Sequence, residues 1–111
     1  MSNIQSFSAC GAPNNDISVT STAGSTTWSS PQNINCTQCE LVNDGSNDVY
    51  YVFSNSLTNG GTGTITATTS NGAKILAGTD KIVNKGYNDT ISYVCKSAQT
   101  ATLSIQTGEG Q

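Results

Sequence analysis

Histidine and arginine are absent from this 111-residue chain, and lysine occurs only four times. Without an imidazole there is no Ser-His-Asp or Cys-His nucleophile system and no histidine metal ligand, and the usual acid–base group near neutral pH is missing. Four Lys against seven acidic residues leave a net charge of -3. No basic surface is available to neutralise a run of phosphates or to settle on an anionic membrane, so neither nucleic acid nor membrane is an expected partner. No apolar run approaches the ~18–20 residues of a membrane span, and the Met1 end lacks the basic and apolar regions of a secretory signal. The expectation is a soluble protein made in the cytoplasm. The Asn-x-Ser/Thr matches at Asn35 and Asn88 therefore carry little weight as glycosylation sites. No repeat of solenoid or propeller length is present.

What fills the chain instead is small and polar. It has 15 Ser, 16 Thr, 12 Asn and 11 Gly, nearly half of all positions. Ile and Val outnumber Leu and Met by 14 to 5. Branching at Cβ stiffens the side chain and suits a pleated, half-buried surface, so helix is disfavoured throughout and an all-β fold is expected. Low charge with many Ser, Thr and Asn could also suggest disorder, but disorder needs high net charge, and the apolar residues here fall in spaced, alternating runs. The length accommodates one domain.

Turn signals recur at Asn43-Asp44-Gly45, Asn59-Gly60-Gly61, Asn71-Gly72, Asn84-Lys85-Gly86 and Ala98-Gln99. Such spacing predicts a single-domain β-sandwich, jelly-roll-like, with antiparallel strands and short hairpins. Alternation is clearest near the C-terminus, where Ala101, Leu103 and Ile105 share one face and Thr102, Ser104 and Gln106 the other. Ile91, Tyr93 and Cys95 form the same inward set one strand earlier, and residues 97–100 join the two as a predicted hairpin. Residues 62–69 read as a strand with an outer threonine row and Ile65 and Ala67 inside. The run Val49-Tyr50-Tyr51-Val52-Phe53 is apolar on both faces, so something must cover both: a loop of the same domain, or another chain.

Residues 1–30 are different, with Ile4, Phe7, Ile17, Val19 and Trp28 isolated among small polar residues. They are expected to form an N-terminal arm or extra strands, with residues 31–111 as the sandwich. If the arm packs on a neighbour, Phe7 and Trp28 are its anchors. The candidate partner-binding residues are Ile4, Phe7, Trp28, Tyr50 and Val52.

Four cysteines stand at 10, 36, 39 and 95. The Cys36-x-x-Cys39 spacing could open a zinc site, but Cys10 and Cys95 make no second close pair, and the segment reads as strand, where side chains three apart point to opposite faces. No helix follows to make a thioredoxin-type redox motif. Cys39 and Cys95 are expected as small buried residues on inward faces, while a disulfide formed on later exposure to an oxidising environment stays open. Asp44, Asp48, Asp80 and Asp89 sit mostly in turns, where Asp bonds its own backbone. No acidic calcium loop occurs, and the glycines at 60, 61 and 63 match no phosphate-binding pattern. Neither catalytic residues nor a metal or cofactor is expected.

Residues 39–109 nonetheless carry a resemblance, in the order Glu40-Leu41-Val42-Asn43-Asp44-Gly45, Asp48-Val49-Tyr50-Tyr51-Val52-Phe53, Ala67-Thr68-Thr69-Ser70, Ile75-Leu76-Ala77-Gly78-Thr79 and the closing Ala101-Thr102-Leu103-Ser104-Ile105-Gln106-Thr107-Gly108-Glu109-Gly110. Together they resemble the small β-rich virion proteins of tailed bacteriophages, especially capsid decoration (cement) proteins. The residue 57–63 loop, the four cysteines and residues 1–35 depart from that pattern. The resemblance implies a β-sandwich on the capsid exterior, assembled as a homotrimer, that binds the major capsid protein and ties its subunits together without catalysis or cofactor. A receptor- or glycan-binding module of a head or tail fibre, with Tyr50, Tyr51, Tyr87 or Trp28 stacking on sugar rings, is the alternative, as is a neck or tail subunit.

Overall fold

A computed structural model describes residues 7–109. Two antiparallel sheets pack face to face as a β-sandwich. In the first, the long closing strand β9 (Ala101–Glu109) is central: β1 (Ser8–Ala9) and β2 (Asn14–Val19) lie along one side of it, and β4 (Gln38–Asn43) lies along the other, followed by β7 (Asp80–Asn84). The second sheet runs β3 (Gly24–Thr27), β8 (Thr90–Val94), β5 (Val49–Ser54), β6 (Ala73–Ile75). The described part of the N-terminal segment thus supplies β1, β2 and β3, and Ile4 lies outside the described residues.

Period-two patterning builds the core. Along β9 Ala101, Leu103, Ile105 and Thr107 are buried and the residues between them are partly exposed. In β4 Cys39 and Leu41 point the same way. They meet Val49, Tyr51, Ile75, Ile91 and Tyr93 of the second sheet in one cluster with Val19, Trp28 and Cys95. The unpaired thiols of Cys39 and Cys95 are therefore core atoms, as their inward faces required.

Three local readings are corrected. Strands β8 and β9 do not form a hairpin: β8 pairs with β3 and β5, β9 with β1, β2 and β4, and residues 95–100 carry the chain from one sheet to the other. Alternation identifies an inward face, and that face is satisfied equally by a neighbour in the same sheet or by one across the core. Residues 62–69 are not a strand. They run as a strap over the outer face of the second sheet, where the Ala67 N–H donates to Ser92 Oγ (2.9 Å) and Ala67 packs with Tyr50 and Val94. That strap is the cover for the second apolar face of β5. Thirdly, a short helix does occur, α1 (Pro31–Asn35), opened by a proline whose fixed φ suits the first helical turn.

The strand containing Cys39 starts only at Gln38, so Cys36 lies outside it, at the end of α1, and forms a disulfide with Cys10. Close packing fixes the strand ends too. A side chain at Gly45 would place its Cβ 2.7 Å from Ala101 Cα, so the β4–β5 turn accepts only glycine there.

Candidate interaction surface

The sandwich has one end where two loops are tied by a buried carboxylate. Asp89, just before β8, accepts the Ser56 backbone N–H (2.9 Å), the Ser56 hydroxyl (2.6 Å) and the Thr90 hydroxyl (2.9 Å). Burial works against its charge, yet these donors outweigh that and hold the carboxyl below its ordinary value. The Asn55 side-chain amide reaches the Tyr87 carbonyl (3.4 Å), and the Ile65 N–H donates to Ser54 Oγ (3.1 Å). The 55–63 loop, the start of the strap and the β7–β8 loop are thereby held side by side. They present Leu57, Tyr87 and Ile65, which are 79%, 66% and 46% exposed. Leu76, the other large exposed apolar residue, lies in the β6–β7 turn.

The opposite arrangement holds near α1, where polar groups point inward. Lys85 is only 2% exposed, and its ammonium donates to the carbonyls of Ile34 (3.1 Å), Gly86 (3.2 Å) and Asn88 (3.1 Å) while lying 5.4 Å from the Trp28 ring centroid. Loss of water around the buried charge lowers its pKa, against the pull of Cys39, Glu109 and Asp89. Burial pushes the Cys39 thiol up to about 12, only partly offset by Lys85. Glu109 takes both the N–H and the hydroxyl of Thr37 (2.9 Å each), and the Asn33 amide bonds the carbonyls of Cys10 and Ala12 and the Thr107 hydroxyl. Every donor here has its acceptor inside the fold, so the cluster fastens α1 to the sheets. Among the described residues no group of three or more Cys, Asp or Glu is placed to hold a metal ion.

The five residues singled out by sequence are scattered. Ile4 lies outside the described residues. Phe7 is half-buried, its ring resting where a side chain on Gly108 would stand. Trp28 is 5% exposed, and its indole N–H donates to Asn14 Oδ1 (3.0 Å). Tyr50 is 8% exposed beneath the strap. Val52 is half-buried and lines, with Tyr51, Phe53, Ala73 and Val83, a shallow groove between β5 and β7. Leu57 and Ile65 were missed as surface residues. Leu57 sits alone between Ser56 and Thr58 in a loop, a position where no inward face exists to bury it, and that isolation was the available signal.

Comparison with protein-family models and with curated proteins finds no match for the chain.

Proposed function

We propose that this chain is a non-enzymatic structural protein of a phage virion, a capsid decoration protein that binds the outer surface of the major capsid protein as a homotrimer and stabilises contacts between its subunits. The observation that carries the reading is the distribution of apolar surface. Both faces of the central strand β5 are largely covered from within, and among the described residues the large apolar side chains that stand exposed, Leu57, Ile65, Leu76 and Tyr87, lie outside the strands, with Leu57, Ile65 and Tyr87 gathered at one end. Side chains so placed are suited to a protein–protein contact at the tip of a rigid domain. Few charges and many hydroxyls and amides leave the remaining surface hydrated with little dependence on salt; one ion pair, Lys74–Asp48 at 4.0 Å, occurs among the described residues. Of the four rings that a sugar-binding module would use, three are buried and only Tyr87 is exposed, which supports the decoration reading over the glycan-binding one. The test is to add purified protein to capsids stripped of decoration. Saturable binding in many copies with a gain in capsid heat resistance is expected. Absence of either refutes the reading.

A further inference from the structure

The chain contains two Asn-Gly pairs, Asn59-Gly60 and Asn71-Gly72, and the fold treats them differently. The Asn71 carboxamide is fully engaged: its oxygen accepts the Thr68 N–H (2.8 Å) and its nitrogen donates to the Thr66 carbonyl (3.0 Å). The Gly72 N–H is used too, donating to the Thr68 carbonyl (3.1 Å). Asn59 stands at the tip of the 55–63 loop, exposed, with φ 51° and ψ 40°, and no hydrogen bond of the described residues engages its side-chain amide. Beyond it, a Cβ at Gly60 would meet nothing within 4 Å, so no neighbouring group shields the approach to its nitrogen.

We infer that Asn59 is a site of spontaneous covalent modification by attack of its own backbone. The Gly60 nitrogen adds to Cγ of Asn59 and forms a new C–N bond. The bond from Cγ to the amide nitrogen breaks, and ammonia departs with the proton lost by the Gly60 nitrogen. Water then opens the five-membered imide at either carbonyl, leaving aspartate or the isomer in which the backbone runs through the side chain. Water is the only co-reactant, and no oxidation state changes. Glycine after the asparagine assists because no side chain shields the attacking nitrogen, and the left-handed backbone of Asn59 is a strained starting point in an exposed loop. Each event replaces a neutral amide with a carboxylate, taking the net charge from -3 to -4. The new charge lies in the same loop as Leu57. On the capsid-docking reading, and only for this consequence, ageing would place a carboxylate beside the contact surface.

The experiment is peptide mapping by mass spectrometry after incubation of the folded protein at mildly alkaline pH, with enzymatic methylation to count isoaspartate. The expected result is conversion at Asn59, about a hundredfold faster than at Asn71, whose reaction must first break three hydrogen bonds. In urea the two sites should react at similar rates, and Asn59→Gln should abolish only the first signal. No conversion at Asn59 in the folded protein, or conversion at Asn71 as fast, overturns the inference. Neither result depends on whether the protein binds a capsid.

Discussion

Replacing Lys85 by methionine leaves an unbranched side chain one atom shorter and removes its charge. In the native protein three carbonyls receive the ammonium, each such bond contributing roughly 1.5–3 kcal/mol. The Trp28 face adds about 1 kcal/mol. Against them stands the loss of hydration of a buried ammonium, which costs several kcal/mol. The opposing terms are similar, so the parent protein gains little net from the residue. The variant is not neutral, because the carbonyls of Ile34, Gly86 and Asn88 stay behind without a donor, at about 1–3 kcal/mol each, while only the ammonium's dehydration is relieved. A net loss of about 2–4 kcal/mol is expected, lowering Tm by roughly 10–20 °C. Urea unfolding followed by emission of the single tryptophan, Trp28, which lies against the perturbed group, measures it. Lys96→Met, at an exposed site, serves as the control and should stay within about 0.5 kcal/mol. A Lys85→Met protein as stable as the parent would refute the reasoning, since the carbonyls would then have found other donors.

Four further outcomes follow from the same structure. Reducing the Cys10–Cys36 disulfide, which spans 26 residues, should cost about 3.5 kcal/mol in the chain-entropy model, read as a shift in urea midpoint with and without reductant. A thiol reagent should find no reactive cysteine in the native oxidised protein and two, Cys39 and Cys95, in denaturant; rapid native labelling would contradict their burial. Stability should fall at both pH extremes. Asp89 is held below its ordinary 3.8, so its contribution is complete above that value and is lost as pH drops from it toward the folded value; Ser56→Ala should flatten the acid limb. Cys39 keeps its proton to about 12 rather than 9.0, so stability declines as pH rises between them, whereas Lys85, lowered from 10.5, works in the opposite direction below that value. Cys39→Ala should therefore weaken the alkaline decline. Leu57→Ser combined with Tyr87→Ser should leave Tm within about 2–4 °C of the parent, because both side chains are exposed, and on the proposed decoration role should reduce capsid binding.

The two-sheet architecture was legible because a strand repeats every two residues, and Ala101, Leu103 and Ile105 announce their inward face without reference to any partner. The same pattern does not encode which strand lies beside which. The chain passes between the sheets through residues 95–100 where a hairpin was read, and the partners of β9, namely β1, β2, β4, are distant in sequence. Residues 62–69 alternate like a strand and yet serve as a strap, because the Ala67 N–H is satisfied by the Ser92 hydroxyl and needs no ladder. Trp28 illustrates a different limit. An isolated aromatic in a polar segment reads equally as an anchor for a partner or as a plug for its own core, and the indole bond to Asn14 together with the Lys85 ammonium belongs to the second arrangement. The pairing of Cys10 with Cys36 depends on α1 returning the chain beside the β1–β2 connection, which no local spacing reveals.

Why polar groups should be buried so heavily at the α1 end follows from the composition. A sandwich with only 14 Ile and Val and 5 Leu and Met has little aliphatic bulk to draw its termini together. The N-terminal segment enters on the far edge of the first sheet through β1, only two residues long, whose ladder alone is too short to hold it. A disulfide from Cys10, the Asn33 amide spanning Cys10, Ala12 and Thr107, and the Thr37–Glu109 pair fix that edge by directional bonds instead of area. Directional bonds tolerate no slippage, so the segment around α1 is expected to be rigid, while residues 59–63, largely exposed at the tip of their loop, open more readily. Hydrogen exchange should show that order, with the amides of Thr37 and Cys10 protected beyond those of residues 59–63; the reverse order would refute the idea that directional bonds fasten α1 and the β1 edge.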